Sequence, residues 1–170
     1  HLQDSWALAG SVVFADVSGF TKLSERLAGL GKAGAEELTL ILNGTFTDLL
    51  TIAFTEGGDL LSYGGDALLL SFDGSDHAVR AVRAAMGMRT ALHDRGSVET
   101  PAGKVRLRIS QGVHTGEFQL AVAGTRQREL LLVGSAATRV TDMETAADAG
   151  DVLISPQTAA LLPDRSVGRA

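Results

Sequence analysis

The stretch "SVVFADVSGFTKLSERL", residues 11–27, decides the fold of this chain. It begins with an apolar run, reaches the carboxylate of Asp16, turns through Gly19, and continues with Leu23 and Leu27 one helical turn apart. A short apolar run that stops at a turn favours a strand, and apolar residues four apart favour an amphipathic helix. We therefore predict a strand over 11–16 and a helix over 21–30, with an acidic side chain at their junction.

The rest of the chain continues this alternation of strands and helices. A helix over 35–54 leads to a hairpin whose strands, "DLLSY" and "ALLLSF", flank the turn Gly64-Gly65-Asp66. We then predict a helix over 76–93 with Met86 facing the core, a polar loop over 96–104, strands over 105–114, 117–123 and 129–133, a helix over 135–147, a strand over 151–155 and a last helical turn. This order predicts an α+β protein, with a ferredoxin-like βαββαβ core, helices on one face of the sheet, and a small β/α C-terminal extension.

Composition allows one domain and excludes thiol chemistry. The 170 residues are 45% hydrophobic and 21% charged, which is ordinary for a globular domain. We assign residues 10–162 to this domain and residues 1–9 and 163–170 to flanking segments. Because the chain has no cysteine, it forms neither a disulfide nor a thiolate metal site. The composition fits a reducing compartment, and we expect a cytoplasmic location.

The charge and hydropathy patterns argue against nucleic acids and membranes as partners. The net charge is −5 and no basic tract is present, whereas phosphate backbones bind clustered Lys and Arg. No stretch approaches the ~18 to 20 uninterrupted apolar residues that a membrane span needs. We therefore expect no nucleic-acid partner and no membrane span in this segment.

Two carboxylates lie fifty residues apart at places that the predicted topology brings together. Asp16 ends the first strand, and Asp66 lies in the turn of the hairpin that would pair with it. Alone, two such groups would repel and raise each other's pKa, but Mg²⁺ favours one or two carboxylates plus phosphate oxygens. The backbone of residues 17–21 would present N–H groups at a helix N-terminus, which is suited to an anion. The sequence thus predicts a metal–triphosphate site; the alternative is a helix cap and a plain hairpin turn.

Four motifs carry a resemblance to a known family. "FADVSGFTKLSERL", "EGGDLLSYGGDALLLSF", "GVHTGE" and "AADAGDVLISP" resemble, in order and spacing, the catalytic domain of class III adenylyl and guanylyl cyclases. The resemblance covers roughly residues 10–162. It is most similar to the first of the two cyclase domains in soluble, bicarbonate-type adenylyl cyclases and their bacterial relatives.

The resemblance implies an activity, a cofactor and a set of site residues. Members of this family convert a nucleoside triphosphate, ATP or GTP, to a cyclic nucleotide and pyrophosphate with two Mg²⁺ or Mn²⁺ ions. By this resemblance Asp16 and Asp66 are the metal ligands, assisted by the carbonyl of Val17. The residues that would wrap the phosphates are Ser18, Gly19, Phe20, Thr21 and Gly65.

The chain departs from the family pattern at four positions. Two family positions that read the base are Ser62 and Leu131 here. The family's ribose-orienting Asn is replaced by Thr138, and its transition-state Arg by Asp142. An acidic residue in place of that Arg repels the charge it should stabilise, and loss of one such donor costs ~10²- to 10³-fold in rate.

These departures suggest that the chain is half of a composite site. Family cyclases are head-to-tail dimers in which one subunit supplies the metals and the other supplies the base-reading residues, Asn and Arg. We therefore expect a complementary cyclase domain, in the same or another chain, as a partner. One alternative is a catalytically inactive regulatory module that binds nucleotide or dimerises. Another is a diguanylate cyclase, although Ala67-Leu68 replaces the Glu-Phe of its signature.

Three further residues admit more than one interpretation. Arg106 and Arg108 alternate on one predicted strand, a pattern more typical of a solvated face than of a phosphate clamp. His114 lies in the same predicted strand between Gly112 and Gly116, and we interpret it as a structural histidine rather than a ligand.

Overall fold

A computed structural model describes residues 2–124 and 129–163. Its elements are β1 (Leu2–Ser18), α1 (Phe20–Ala28), α2 (Gly31–Thr55), β2 (Asp59–Gly64), β3 (Ala67–Phe72), α3 (His77–Arg95), β4 (Ser97–Thr100), β5 (Gly103–Arg106), β6 (Arg108–Ala123), β7 (Glu129–Val133), α4 (Ser135–Ala146), β8 (Val152–Ile154) and α5 (Pro156–Ala159). Of the predicted flanking segment 163–170, residues 164–170 lie outside this description.

The main sheet has the predicted ferredoxin-like order. Its strands run β2-β3-β1-β6-β7, with antiparallel neighbours throughout, and β8 pairs in parallel with β6. Strands β1, β2, β3 and β6 form the βαββαβ core, so the α+β prediction is confirmed. The sheet also curls, and its two edge strands, β2 and β7, thereby come within 8 Å of each other between Cα atoms.

The hydrophobic residues occupy two clusters on opposite faces of the sheet. The larger cluster contains Val13, Ala15 and Val17 of β1 and packs under α1, α2 and α3. The smaller contains Val12 of β1 and Val140 of α4. The prediction that all helices lie on one face was therefore wrong: α4 covers the other face. Side chains alternate along a strand, so Asp16 points to the α4 side.

Three predicted boundaries were also wrong. β1 begins at Leu2 rather than residue 11, since β6 pairs with it as far as Ala123. The predicted strands 105–114 and 117–123 are replaced by one strand, β6, that begins at Arg108 and runs through Gly116, because Gly116 pairs with Gly10. The predicted polar loop 96–104 contains β4 and leads into β5, and the two form a second, two-stranded sheet.

One predicted core position of α3 was wrong. Met86, predicted to face the core, is 42% exposed, whereas Met88 is fully buried. The remaining buried positions of this helix are mostly small: Ala78, Ala81, Ala84, Ala85 and Leu92. Small side chains let α3 lie close to the sheet.

Helix α2 meets the length and composition criteria for a membrane span. It has 25 residues, with a mean hydropathy of 1.4 over its most apolar window, of which 22% is buried. Soluble core helices pass the same test, and α2 contributes Phe46, Leu49 and Ala53 to the larger hydrophobic cluster. The expectation of no membrane span in this segment stays a prediction.

A row of four hydroxyl side chains connects β1 and β6 to the start of α5. We call Ser11, Thr115, Thr158 and Ser155 the hydroxyl row; its consecutive oxygens are 2.7, 3.0 and 3.0 Å apart. His77 Nδ1 contacts one end at 2.9 Å, and His114 Nδ1 contacts the other at 2.9 Å. Burial and the nearby Arg139 lower the pKa of His114. These contacts fit the interpretation of His114 as a structural residue.

Arg80 connects the end of α2 to the loop before α3. Its guanidinium donates to the carbonyls of Glu56, Gly57, Asp73 and Ser75. We expect Arg80→Ala to lower the free energy of unfolding by about 2 kcal/mol, because these carbonyls lose a charged donor. Urea denaturation measures this, with Arg83→Ala, which removes only an exposed ion pair to Glu56, as the control. Equal losses in the two variants would contradict this role.

Candidate functional site

Strand pairing brings the two predicted metal ligands together. Asp16 lies opposite Ala67 in the β1–β3 register, and Val17 N–H donates to the carbonyl of Asp66 at 2.9 Å. The hairpin turn thus folds over the end of β1 and places the Asp66 carboxyl group beside that of Asp16, whose pKa it raises. Two acidic groups that are remote in sequence therefore meet at one edge of the sheet.

The contact between these carboxyl groups is electrostatically unfavourable without a cation. Partial burial, the charge of Asp66 and then the charge of Glu144 together raise the pKa of Asp16 to about 6. None of these causes is a compensating cation, so the two negative charges repel each other in the absence of a metal ion. A divalent cation would remove the repulsion entirely.

Glu144 is a third acidic residue of the site, and the sequence analysis missed it. Ser110 lies directly opposite Asp16 in the β1–β6 register, and its hydroxyl donates to Glu144 Oε1 at 2.7 Å. Helix α4 approaches β6 closely here, because a Cβ on Gly112 would lie 2.7 Å from the Glu144 nitrogen. Val140 is the buried residue of α4, so the one-turn spacing from Val140 to Glu144 was the available signal.

The turn after Asp16 leaves backbone donors free of side-chain caps. Gly19 precedes α1 with φ of 106°, and a Cβ there would lie 2.8 Å from the Arg106 carbonyl oxygen, so glycine is required. No side chain caps the N-terminus of α1. The Phe20 side chain is buried and stacks on Phe46 at 5.7 Å, which leaves only its backbone for a phosphate. The turn can therefore bind an anion through N–H groups.

A cavity of about 400 Å³ adjoins the pair on the hairpin side. Gly65 and Asp66 line it from the hairpin, Phe20 and Thr21 from the start of α1, and Leu42 from α2. Gly65 has φ of 63°, which lets the turn expose its backbone to the cavity. The volume lies within the range of small-molecule sites.

The donor set fits Mg²⁺ or Mn²⁺. Within residues 2–124 and 129–163, no group of three or more His, Asp or Glu side chains is arranged to hold a metal ion. Asp16 and Asp66 would thus supply two carboxylates, and other ligands would come from water or a bound phosphate. This is the coordination that Mg²⁺ usually adopts in proteins. The assignment of these ligands stays a prediction.

The four departures from the family pattern lie on the surface. Ser62 is on β2, Leu131 on β7, and Thr138 and Asp142 on α4, and all four are exposed. Because the sheet curls, the edge strands that carry the two base-reading positions approach each other. Neither position presents a side chain that distinguishes adenine from guanine.

The raised pKa of Asp16 predicts a pH-dependent stability of the metal-free protein. The pKa of Asp16 in the folded state, about 6, lies above the ordinary value of 3.8, so the folded state binds the proton more tightly. Stability therefore falls as pH rises from 3.8 through 6, and the loss is complete above 6. We expect Asp16→Asn to raise the free energy of unfolding by about 1 to 2 kcal/mol near pH 7.5 and hardly at all near pH 4, after allowance for solvent screening. Urea unfolding in EDTA measures this.

The control for this prediction is Asp59→Asn, an exposed carboxyl at the start of β2. It should change stability equally little at both pH values. A stabilisation by Asp16→Asn that is independent of pH would show that repulsion at Asp16 is not its cause.

The position of Glu144 predicts a contribution to cation affinity. We expect Glu144→Gln to weaken Mn²⁺ binding by about 3- to 10-fold, because one negative charge near Asp16 is lost. Ser110→Ala is the matched control: it removes the hydrogen bond to Glu144 but keeps the charge, so its effect should be smaller. Calorimetric titration with Mn²⁺ measures both. Unchanged affinity in Glu144→Gln would mean that this carboxylate does not act on the pair.

Comparison with known proteins identifies the family of the chain. The chain matches the family model described as the adenylate and guanylate cyclase catalytic domain over residues 9–168. Adenylate cyclase type 10 of Mus musculus is 29% identical over 152 residues, which are 86% of this chain and 9% of that protein. The chain thus spans about a tenth of the length of this relative.

Solved structures share the fold over nearly the whole chain. The adenylyl cyclase CyaB from P. aeruginosa is 27% identical with a TM-score of 0.74, covering 93% of this chain and 82% of that one. The guanylate cyclase domain of RhGC from Catenaria anguillulae, solved in complex with GTP, is 23% identical with a TM-score of 0.74, covering 96% and 86%. With a family model that matches nearly every residue, the chain belongs to the adenylate and guanylate cyclase catalytic domain family.

Proposed function

We propose that this chain is the metal-bearing half of a composite nucleotidyl cyclase site. It would convert ATP or GTP to a cyclic nucleotide and pyrophosphate together with a complementary cyclase domain. The observation that carries the proposal is the pairing of Asp16 and Asp66 beside an uncapped helix N-terminus. Such an arrangement suits a cation bound to a polyphosphate.

The residues of the site have separable roles in this reaction. Asp16 and Asp66 would hold Mg²⁺ or Mn²⁺, with Glu144 adding negative charge. Divalent cations at such a site lower the pKa of the ribose 3′-hydroxyl and neutralise the charge of the phosphates. The N–H groups of residues 18–21 would bind phosphate oxygens and so orient the nucleotide. Since Asp16 holds a proton below about pH 6, it accepts a cation only after losing that proton.

Exposed apolar side chains on β2 and β7 support an interface with a partner domain. On β2, Leu60 and Tyr63 are 38% and 53% exposed, and on β7, Leu131 and Val133 are each 37% exposed. These strands approach each other, so their apolar side chains lie in one region of the surface. Contiguous exposed apolar residues are typical of protein interfaces. A second cyclase domain placed there could supply the Asn and Arg that the chain lacks.

The experiment mixes the chain with a purified class III cyclase domain that has the Lys, Asn and Arg but whose metal aspartates are replaced by Asn. Only one composite site can then form, with metals from this chain. We expect cyclic nucleotide formation from ATP or GTP with Mn²⁺ to rise at least ~10²-fold over the chain alone. Comparable turnover by the isolated chain would refute a half site, and a cyclic dinucleotide product would identify a diguanylate cyclase.

A second candidate is a regulatory module that binds nucleotide without turnover. The replacement of the family Arg by Asp142 favours it, because this residue would repel the developing phosphoryl charge in any homodimer. The same mixture separates the two candidates. Nucleotide binding that depends on Mn²⁺, with no product from several partner domains, would support the regulatory module.

A further inference from the structure

A second cavity, of about 380 Å³, lies between α3, the start of β6 and the loop after α4. It shares no residue with the cavity at Asp66. Its floor is apolar, because Leu92, Leu107 and Ile109 are each at most 3% exposed. Ile109 belongs to the larger hydrophobic cluster, so the floor lies on the face of β6 opposite to Asp16. Arg106 and Arg108 alternate with Leu107 and Ile109 along the chain and border the cavity from the other side of the strand.

Three arginines surround this apolar floor. Arg89 lies on α3, and Arg106 and Arg108 flank Leu107 at the start of β6. Within the part of the chain that the structure describes, none of the three forms an ion pair. Asp151 is the one acidic residue that lines the cavity, which leaves two positive charges uncompensated. This local excess stands out in a chain of net charge −5.

The walls of the cavity are fixed by hydrogen bonds before any ligand binds. Arg89 Nε donates to the carbonyl of Gly150 at 2.6 Å, which ties α3 to the loop. The N–H of Gly150 donates to Ile109 O at 2.9 Å, and the N–H of Gln111 donates to Asp151 O at 3.1 Å, which tie the loop to β6. A preformed site loses little conformational entropy on binding.

We propose that this cavity, here called the arginine cavity, binds a small organic phosphate with an apolar body. A phosphate monoester dianion matches the two uncompensated charges, and guanidinium groups bind phosphate oxygens in pairs. The apolar body would cover Leu92, Leu107 and Ile109. Arg106 and Arg108 are exposed, as a solvated face requires, and Leu107 between them forms part of the floor of the cavity.

Phenyl phosphate is the probe, and it is titrated calorimetrically into the folded chain in EDTA, where the Asp16–Asp66 site cannot use a metal. We expect saturable binding that weakens by about 10-fold in Arg89→Gln and in Arg106→Gln. Both side chains are exposed, so these variants should fold. Arg83→Gln, on the same helix but outside the cavity, should bind as the unmodified chain does.

Inorganic phosphate tests the apolar part of the proposal. It should bind at least about 10-fold more weakly than phenyl phosphate, because it leaves the floor uncovered. Equal binding of both probes would overturn the apolar body, and equal binding by all arginine variants would overturn the site. Absence of saturation up to about 10 mM would likewise reject it. None of these results depends on whether the Asp16–Asp66 pair supports turnover.

Discussion

Replacing Asp66 by Asn is expected to remove metal-dependent nucleotide binding, with a loss of affinity of at least ~100-fold for ATP in the presence of Mn²⁺. The substitution keeps the side-chain volume and leaves the backbone carbonyl that accepts from Val17 N–H. It removes one of two charges that the cation needs. The fold should therefore survive while the site loses its cation. Isothermal calorimetry with ATP, with and without Mn²⁺, measures the change.

Asp59→Asn is the matched control, because Asp59 is an exposed carboxyl at the other end of the strand that leads to the turn. It should bind ATP with Mn²⁺ as the unmodified chain does. If Asp66→Asn retained full binding, the carboxylate pair would not be the metal site and the proposed function would lose its basis. Melting temperatures of both variants verify that each is folded.

Restoring the four family residues is expected to convert the chain into a self-sufficient cyclase. The variant carries Ser62→Lys, Leu131→Asp, Thr138→Asn and Asp142→Arg. Because all four positions are exposed, the substitutions should not disturb the core. We expect turnover of ATP with Mn²⁺ to rise ~10²- to 10³-fold, since a homodimer would then contain both halves of the site. Product formation as cyclic AMP measures this.

The informative control keeps the first three substitutions but carries Asp142→Ala. Alanine removes the repulsive charge without supplying the stabilising one, so its turnover should stay far below that of the arginine variant. A quadruple variant that dimerises and binds ATP with Mn²⁺ but makes no product would argue for the regulatory module instead.

The sequence predicted the meeting of Asp16 and Asp66 correctly because local signals determine it. The apolar run before Asp16 and the glycines of the hairpin turn specify antiparallel strands, and strand pairing then places the two acids at one edge. The site was therefore accessible from patterns only a few residues long.

Contacts between elements that are distant in the sequence could not be predicted from such short patterns. The contact of Ser110 with Glu144 requires α4 to approach β6, which Gly112 permits; the spacing from Val140 to Glu144 indicates a shared face of α4 but not what that face packs against. Similarly, Gly116 suggested a strand break, yet pairing with β1 carries the strand through it. The β4–β5 hairpin was a different kind of error, because the turn signal Pro101-Ala102-Gly103 was present and was overlooked.

The hydroxyl row has a consequence for proton positions. Each of its four hydroxyl groups has one hydrogen to give, and Thr158 gives its own to the carbonyl of Val113. The row and the two rings make five hydrogen-bond contacts between His77 and His114, and each contact needs one hydrogen. Ser11, Thr115 and Ser155 supply three of these hydrogens, so each imidazole supplies one. Five hydrogen bonds along this row require a hydrogen on Nδ1 of each ring, and because burial lowers the pKa of His114, its Nε2, which faces Gly116, is left as a lone-pair acceptor.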